Sequence, residues 1–498
     1  MVNVAIQDVL KNAVSKWGKR NFIYSRIGDK FIPKTFENTI NDTLALAEGL
    51  LNLGLSRKHI LIYGENSYEW IISDLAIMGF VGVTVAANKE WKQNDLENMI
   101  DITDAECIIY SNTKNEVIEK IKEKYDIKYI SMQNDIPPLL ENGYKLLDEK
   151  EDKESEKKNI EDMCKIVFTS GTTSVSKAVM LSQKNLFVGF DGLYKRTKMC
   201  SDDKIYLFLP LNHTYAGIYN LLACLYFGME LYLCSDTNKM FEELIMTKPT
   251  IFCGVPLVYE RVYKMLGEET IEQAQVNKNE ECIKKIQNIF GGNIRYLFCG
   301  GAKHDSKIRG FYKDIGFKML EAYALTETAS SLSIEYGDSK STTSVGTILE
   351  NIDVKFINID KNGCGEILVK GDNIALGYYK NEDETKKVFD KDGYFHTGDI
   401  GYKDEDNQLF LIGRKRKVIV LKNGENIYPN EIEEIVSKND GITKVKIFEK
   451  NDVINAIIYV VKDIDIDEII KSTNEKLPTY KQIKDYEVIQ DTVDKRLK

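Results

Sequence analysis

Between Phe168 and Ser182 the chain reads FTSGTTSVSKAVMLS. Thr169, Ser170, Thr172, Thr173, Ser174 and Ser176 place six hydroxyl groups around Gly171, and Lys177 follows with a compact positive charge. A glycine has no Cβ, so successive backbone N–H groups can close on an anion there. The set suits a loop that wraps phosphate oxygens. Its flanks, KIVF and AVML, read as short buried strands. A Walker loop is excluded, because Lys177 stands between Ser176 and Ala178, and no G-x-G-x-x-G opens the chain as a dinucleotide fingerprint would. A Ser/Thr-rich surface turn has the same composition, so the stretch gains meaning only from what accompanies it.

Five further segments carry groups of matching use. RYLFCGGA is a strand that runs into Gly300, Gly301 and Ala302, where a flat ring can lie against bare backbone. EAYALTET offers the aromatic Tyr323, the hydroxyl of Thr326 and the hard carboxylate of Glu327. YFHTGDI holds Asp399 in what reads as a tight turn, with two acceptor oxygens for a diol. GRKRKVIVLKNGENIYPNEIE, residues 413–433, contains Arg414, Arg416 and Gly424, then Pro429 at a first helical position with Glu431 in the first turn. LFLPLNHTYAG brings His213, Tyr215 and Gly217 to the end of an apolar run. Singly, each has a plain structural reading: a strand-end turn, a capped helix start at Thr326, a basic hairpin, a core histidine.

Together the segments resemble the signatures of the adenylate-forming superfamily: acyl-CoA synthetases, aryl-CoA ligases, luciferases and peptide-synthetase adenylation domains. Ser170, Gly171, Thr172, Thr173 and Lys177 match its S-G-T-T-G-x-P-K-G loop, with Ser174, Ser176 and Ala178 replacing two glycines and a proline. The resemblance implies that Thr169 to Thr173 and Lys177 bind ATP phosphates. It implies adenine on Gly300-Gly301-Ala302 with Tyr323 stacked, Thr326 on the α-phosphate, Glu327 as a Mg2+ ligand, Asp399 on the ribose, and Arg414 on the ribose or phosphate. Ala322 and Ala324 stand where the family has glycines. His213, Tyr215 and Gly217 would line the acyl pocket, Arg416 would be the hinge, and Gly424 would face the thiol. The tail QDTVDKRLK departs from the family's terminal T-x-T-G-K-I-K-R, so the catalytic cation is Lys495, Arg496 or Lys498. The chemistry explains the inventory. A carboxylate attacks the α-phosphate of ATP, and cations with aligned donors must offset the like-charge repulsion and hold the departing pyrophosphate.

TIFCGVPLVYERVY resembles a segment of fatty acyl-CoA synthetases in particular, and HTYAGIYN lacks the aspartate with which amino-acid-activating relatives hold an α-amino group. The resemblance therefore implies an AMP-forming ligase for a fatty or other hydrophobic acid, using ATP, Mg2+ and CoA. Transfer to an acyl carrier protein, a nucleotide-binding homologue without catalysis, and a luciferase-like oxygenation remain alternatives.

The elements that must position these groups are legible in the pattern. With 498 residues the chain exceeds a single core. Alternating helical and strand-like runs fill the first part: a helix from Asn38 to Leu53, a strand at His59–Tyr63, a helix at Tyr68–Gly79, a strand at Gly82–Ala86. After Ser341 the runs shorten into a β-rich subdomain, and from Lys417 a small α+β pattern begins. We expect an α/β fold: a large layered N-terminal domain, residues 1–412, with a β-rich subdomain, and a small mobile C-terminal domain, residues 413–498, joined by a hinge. A net charge of −10 argues against nucleic acid or an anionic membrane surface as partner. The apolar stretch Trp70–Ala87 reads as core rather than as a membrane span. The nine cysteines form no C-x-x-C pair and read as reduced, mostly core residues, so a cytoplasmic setting is expected.

Overall fold

The computed structural model describes residues 4–150, 159–169, 177–415, 418–420, 426–450, 453–475, 477 and 479–491. Ser170, Gly171, Thr172, Thr173, Arg416, Gly424, Lys495, Arg496 and Lys498 lie outside the described residues.

By their contacts the residues divide into two compact units, one of residues 1–353 and 370–393, the other of 354–369 and 394–498. The larger unit is a layered α/β structure with two extended sheets. One has seven strands in the spatial order Gly377–Tyr378, Lys177–Ser182, Met163–Thr169, Val83–Ala86, His59–Tyr63, Cys107–Tyr110, Lys128–Ser131. Its middle strands, such as HILIY, VTVA and CIIY, pair in parallel and are buried almost throughout, which is why they read as unbroken apolar runs. The other sheet has nine strands and includes Lys204–Leu207, Ile251–Gly254, Tyr296–Cys299 and Met319–Tyr323. One apolar cluster draws on both sheets (Ile60 and Val167, Ile205 and Leu231) together with Trp70, Leu75 and Phe190 from the helices Tyr68–Ala76 and Phe190–Thr197.

Local sequence accounts for the boundaries. Helix Phe36–Asn52 starts where the Thr35 side chain accepts from the Asn38 N–H, and Tyr68–Ala76 starts where Ser67 accepts from Trp70. The helix expected to reach Gly79 instead changes pitch after Ala76 and continues as a π-helical turn, Ile77–Val81. The stretch from Trp70 to Ala87 is core, and its Asp74 is paired with Lys165 at 2.7 Å. No described helix is long and apolar enough to cross a membrane. Six of the nine cysteines are buried, and Cys200 is exposed.

The smaller unit holds a four-stranded sheet (Asp353–Ile357, Gly365–Lys370, Phe395–Lys403, Leu409–Arg414), a two-stranded ribbon (Ile419–Val420, Asn426–Ile427) and a three-stranded sheet (Ile442–Lys450, Val453–Val460, Ile483–Gln490). Helix Pro429–Ser437 opens on its proline, as the sequence anticipates, and buries Ile432 and Val436 with Ile447, Ile458 and Ile470. The division by contacts does not fall at residue 413. A backbone ladder pairs Asp399 with Arg414 and Ile400 with Gly413, so the sheet runs through that position, and residues 394–412 go with the smaller unit.

Candidate active site

Thr169 ends one strand and Lys177 opens its antiparallel neighbour, and the two are register partners. Lys177 is therefore fixed by the ladder at the start of its strand. Strand Gly377–Tyr378 lies on the other side, pairing with Met180 and Val179. That neighbour puts the Tyr378 ring under the Lys177 ammonium, 4.7 Å from nitrogen to ring centroid. The Tyr378 hydroxyl donates to Glu327 Oε1 at 2.8 Å. Lys177 Nζ donates to Glu384 Oε2 at 2.6 Å. The Lys177 ammonium, helped by Lys387, holds the Glu384 carboxyl down at about 2. The larger unit thus joins two of the expected groups, Lys177 and Glu327, through a tyrosine and beside a second carboxylate that the sequence motifs did not single out.

Glu327 lies in a short 3-10 turn, Thr326–Thr328, just beyond the strand Met319–Tyr323. The turn opens differently from the expected cap at Thr326. The Leu325 N–H donates to the Thr328 hydroxyl at 2.9 Å, which leaves Thr326 inside the turn. Ala329 and Ser330 follow with φ of 45° and 58°, two successive left-handed residues without a glycine. This bend turns the Ser330 hydroxyl to donate to Thr214 at 2.6 Å and brings Ser331 within 2.9 Å of the Tyr219 hydroxyl. The Thr326–Thr328 turn is tied in this way to the segment of His213, Tyr215 and Gly217.

That segment is a π-helix, Tyr215–Leu222. π-Helical turns are uncommon and cluster at functional sites. A Cβ on Gly217 would come within 3.1 Å of the Leu211 carbonyl, so a bare backbone lets the helix fold against the loop before it. The Tyr215 ring lies close to Gly300: a Cβ there would meet its edge at 3.8 Å and the Ala322 carbonyl at 3.4 Å. The strand-end turn, the Tyr323 strand and the Tyr215 ring are neighbours. Gly301, at φ +82°, makes the reversal that exposes Gly301 and Ala302 at the surface, while Tyr323 is buried at the strand end. His213 retains substantial exposure, yet the protein packed around it disfavours the imidazolium and lowers its pKa from the usual histidine value.

In the smaller unit, Asp399 and Arg414 are adjacent. Arg414 Nε lies 2.7 Å from Asp399 Oδ1, and its terminal nitrogen donates to the Thr397 carbonyl at 3.2 Å. Thr397-Gly398-Asp399 is not a turn between elements. It is a bulge inside strand Phe395–Lys403: Leu368 pairs with His396 and Glu366 with Ile400, so three residues stand opposite Ile367 alone. The Thr397 hydroxyl fills the gap by donating to the Ile367 carbonyl at 2.8 Å, and Gly398 takes φ +69°. The excess residues re-aim the buried Asp399 carboxylate.

Tyr378 and Glu384 were missed because they lie outside the motif segments. The signal available was YYKNEDETKKV, an aromatic strand end followed by a helix with acidic first turn and basic last turn, which is an ordinary helix pattern.

The larger unit carries a glycine turn beside an aromatic strand end, and the smaller unit carries a bulge that bears an aspartate. The family model described as AMP-binding enzyme matches residues 10–379, and the chain belongs to that family. Among curated proteins it is 28% identical over 457 residues to the long-chain-fatty-acid–CoA ligase FadD15 of Mycobacterium bovis, covering 83% of this chain and 74% of that protein. It is 27% identical over 479 residues to long chain acyl-CoA synthetase 6, peroxisomal, of Arabidopsis thaliana, covering 86% and 68%. The fold matches ATP-bound MatB from Rhodopseudomonas palustris with a TM-score of 0.83 over 98% of this chain and 95% of that one, at 20% identity. The expected α/β class and the resemblance to the adenylate-forming superfamily both stand.

Proposed function

We propose that the chain joins a hydrophobic, fatty carboxylic acid to CoA at the expense of ATP. The observation that supports this most directly is the linkage of Lys177, Tyr378, Glu327 and, through Thr214 and Ser330, the His213–Gly217 segment within one unit. It brings the groups expected to meet phosphate into linkage with an apolar segment that carries Tyr215 and Tyr219. The named functions of the curated relatives point the same way.

In the first half-reaction an acid oxygen attacks the α-phosphorus, the bond to the β-phosphate oxygen breaks, and pyrophosphate leaves with the electron pair. Lys177 exchanges its bond to Glu384 for a phosphate oxygen, and the hydroxyl loop Thr169 to Thr173 supplies further donors. Glu327 offers a hard carboxylate oxygen that fits Mg2+, which when bound screens the phosphate charge. Tyr378 holds that carboxylate in place. Asp399 accepts from the ribose hydroxyls, with Arg414 compensating its charge. Lys495 or Arg496 neutralises the attacking carboxylate. In the second half-reaction the small domain, residues 413–498, swings about Arg416 and brings Gly424 toward the acceptor. A thiolate then attacks the acyl carbon, the acyl–phosphate bond breaks, and AMP departs.

The test is a graded set of carboxylic acids offered with ATP and Mg2+, read first as acid-dependent pyrophosphate exchange and then as AMP release on adding CoA or a phosphopantetheinyl carrier protein. The expected result is exchange with hydrophobic acids and thioester with CoA. Absence of exchange with every acid overturns the catalytic reading, and release of AMP only with the carrier protein replaces CoA as acceptor.

A further inference from the structure

We propose that Cys299, His304 and Glu321 form a buried binding site for one divalent transition-metal ion of the zinc type. Cys299 ends strand Tyr296–Cys299 and Glu321 is its register partner on the neighbouring parallel strand, so both side chains rise from one face of the sheet. The chain reverses through Gly300–Lys303 and returns His304 over the same spot. One thiol sulfur, one ring nitrogen and one carboxylate oxygen all lie within 4.8 Å of one another. His304 Nδ1 and Glu321 Oε2 are 3.6 Å apart, with side chains 1% and 6% exposed, and Cys299 is 0% exposed.

Two observations point to a ligand rather than to a filled core. Among the described residues, His304 Nε2 is buried with no hydrogen-bond partner, and the buried His304 Nδ1 and Glu321 Oε2 face each other at an ion-pair distance of 3.6 Å, longer than a hydrogen bond. Buried polar atoms are satisfied almost without exception, so a ring nitrogen without a partner, beside a pair held past hydrogen-bond length, needs an explanation. The spacing supplies one. Zinc bonds of about 2.0–2.3 Å to N, O and S in tetrahedral array set donor-to-donor separations of roughly 3.3–3.6 Å. The His304–Glu321 distance already has that length, and the others, within 4.8 Å, reach it by closing at most about 1.2–1.5 Å. Thiolate plus imidazole selects Zn2+ over Mg2+ or Ca2+, and thiolate plus carboxylate cancels a double positive charge, with water as fourth ligand. The nearby cations Arg309 and Lys313 are both paired with Glu335. The Tyr259 ring, 5.8 Å from the His304 ring, closes one side and sends its hydroxyl to the Phe298 carbonyl. A bound ion would pin the Gly300–Ala302 turn to strand Met319–Tyr323. The site stands on this geometry alone and does not depend on the reaction proposed above.

The experiment strips the full chain with a chelator and adds Zn2+ or Co2+ alone. The expected result is about one ion per chain by equilibrium dialysis, a thiolate-to-cobalt charge-transfer band in the near ultraviolet, and one sulfur at about 2.3 Å in zinc-edge X-ray absorption of the unsubstituted protein. Outer-shell partners cost 10–100-fold in metal affinity, so Cys299→Ser or His304→Gln should each cost at least about 100-fold, and Cys299→Ser should abolish the band. The X-ray absorption measurement needs no variant and decides the matter even if a substituted chain fails to fold. Fewer than about 0.2 ions per chain, a shell without sulfur, or affinity unchanged in both folded variants would overturn the site and leave a plain histidine–carboxylate pair.

Discussion

Removing one oxygen from Tyr378 isolates the step by which the larger unit orients Glu327. Tyr378→Phe keeps the ring beneath Lys177, 4.7 Å from its nitrogen, and deletes the hydroxyl that lies 2.8 Å from Glu327 Oε1. A hydrogen bond to a charged group contributes about 1.5–3 kcal/mol. The pair is only partly buried and water can substitute, so about 1–2 kcal/mol is the usable figure, and at about 1.4 kcal/mol per decade that is roughly a 5- to 30-fold change. In acid-dependent pyrophosphate exchange, the maximal rate should fall by that factor and the Mg2+ concentration for half-maximal rate should rise. The thermal midpoint should stay within about 3 °C, because the strand pairing of Tyr378 with Val179 is backbone. A folded variant whose rate and Mg2+ curve superimpose on those of the parent would refute the reasoning: Glu327 would then be held by something other than this hydroxyl, or would not bind the metal.

Glu384→Gln releases Lys177 from a partly exposed ion pair of about 0.5–1 kcal/mol, so the KM for ATP should fall about 2- to 5-fold in steady-state exchange; a rise would mean that Glu384 positions Lys177 for phosphate. Because that carboxyl sits at about 2, below its ordinary range, the pair is intact above the usual carboxylate range and is lost only as pH falls toward 2, so this effect should be flat from pH 5 to 8 in the same assay. The lowered pKa of His213 acts in the same direction, but at higher pH. The unfolded chain binds its proton first, near pH 6.5, so stability should drop on acidification through that value, and His213→Gln should flatten the slope of thermal midpoint against pH between 7 and 5. Lys495→Ala and Arg496→Ala, compared in pyrophosphate exchange, should differ by about 100-fold if one cation neutralises the acid, and equal parental rates in both would reject the tail assignment.

Much of the fold was readable because its strands announce themselves. HILIY, VTVA and CIIY are buried on both faces and carry no polar alternation, and the helices between them have caps such as Thr35 and Ser67 where the chain enters. The groups of the candidate site were readable where chemistry demands a residue type within a few positions. Tyr378 and Glu384 were not, because they meet Lys177 from 201 and 207 residues away by sheet order and by the reach of a helix, and neither shows in local spacing. The Thr397-Gly398-Asp399 run was recognised but given the wrong backbone. A glycine flanked by small polar residues signals a positive φ, and both a turn and a bulge meet that requirement. Only the pairing of Glu366 and Leu368 across the sheet distinguishes them.

The same placement settles what two departures from the family signature mean. Ala178 replaces a glycine, but it lies in strand Lys177–Ser182 opposite Phe168 and is 4% exposed, so its methyl packs in a pleated sheet where any L-residue fits. Ala322 likewise replaces a glycine within strand Met319–Tyr323, opposite Ile334. Neither position calls for the conformational freedom of glycine, so neither alanine argues against a working site. What lies close at Gly300 is the Ala322 carbonyl and the Tyr215 ring, so the strand backbone rather than the alanine methyl is what the glycine turn meets.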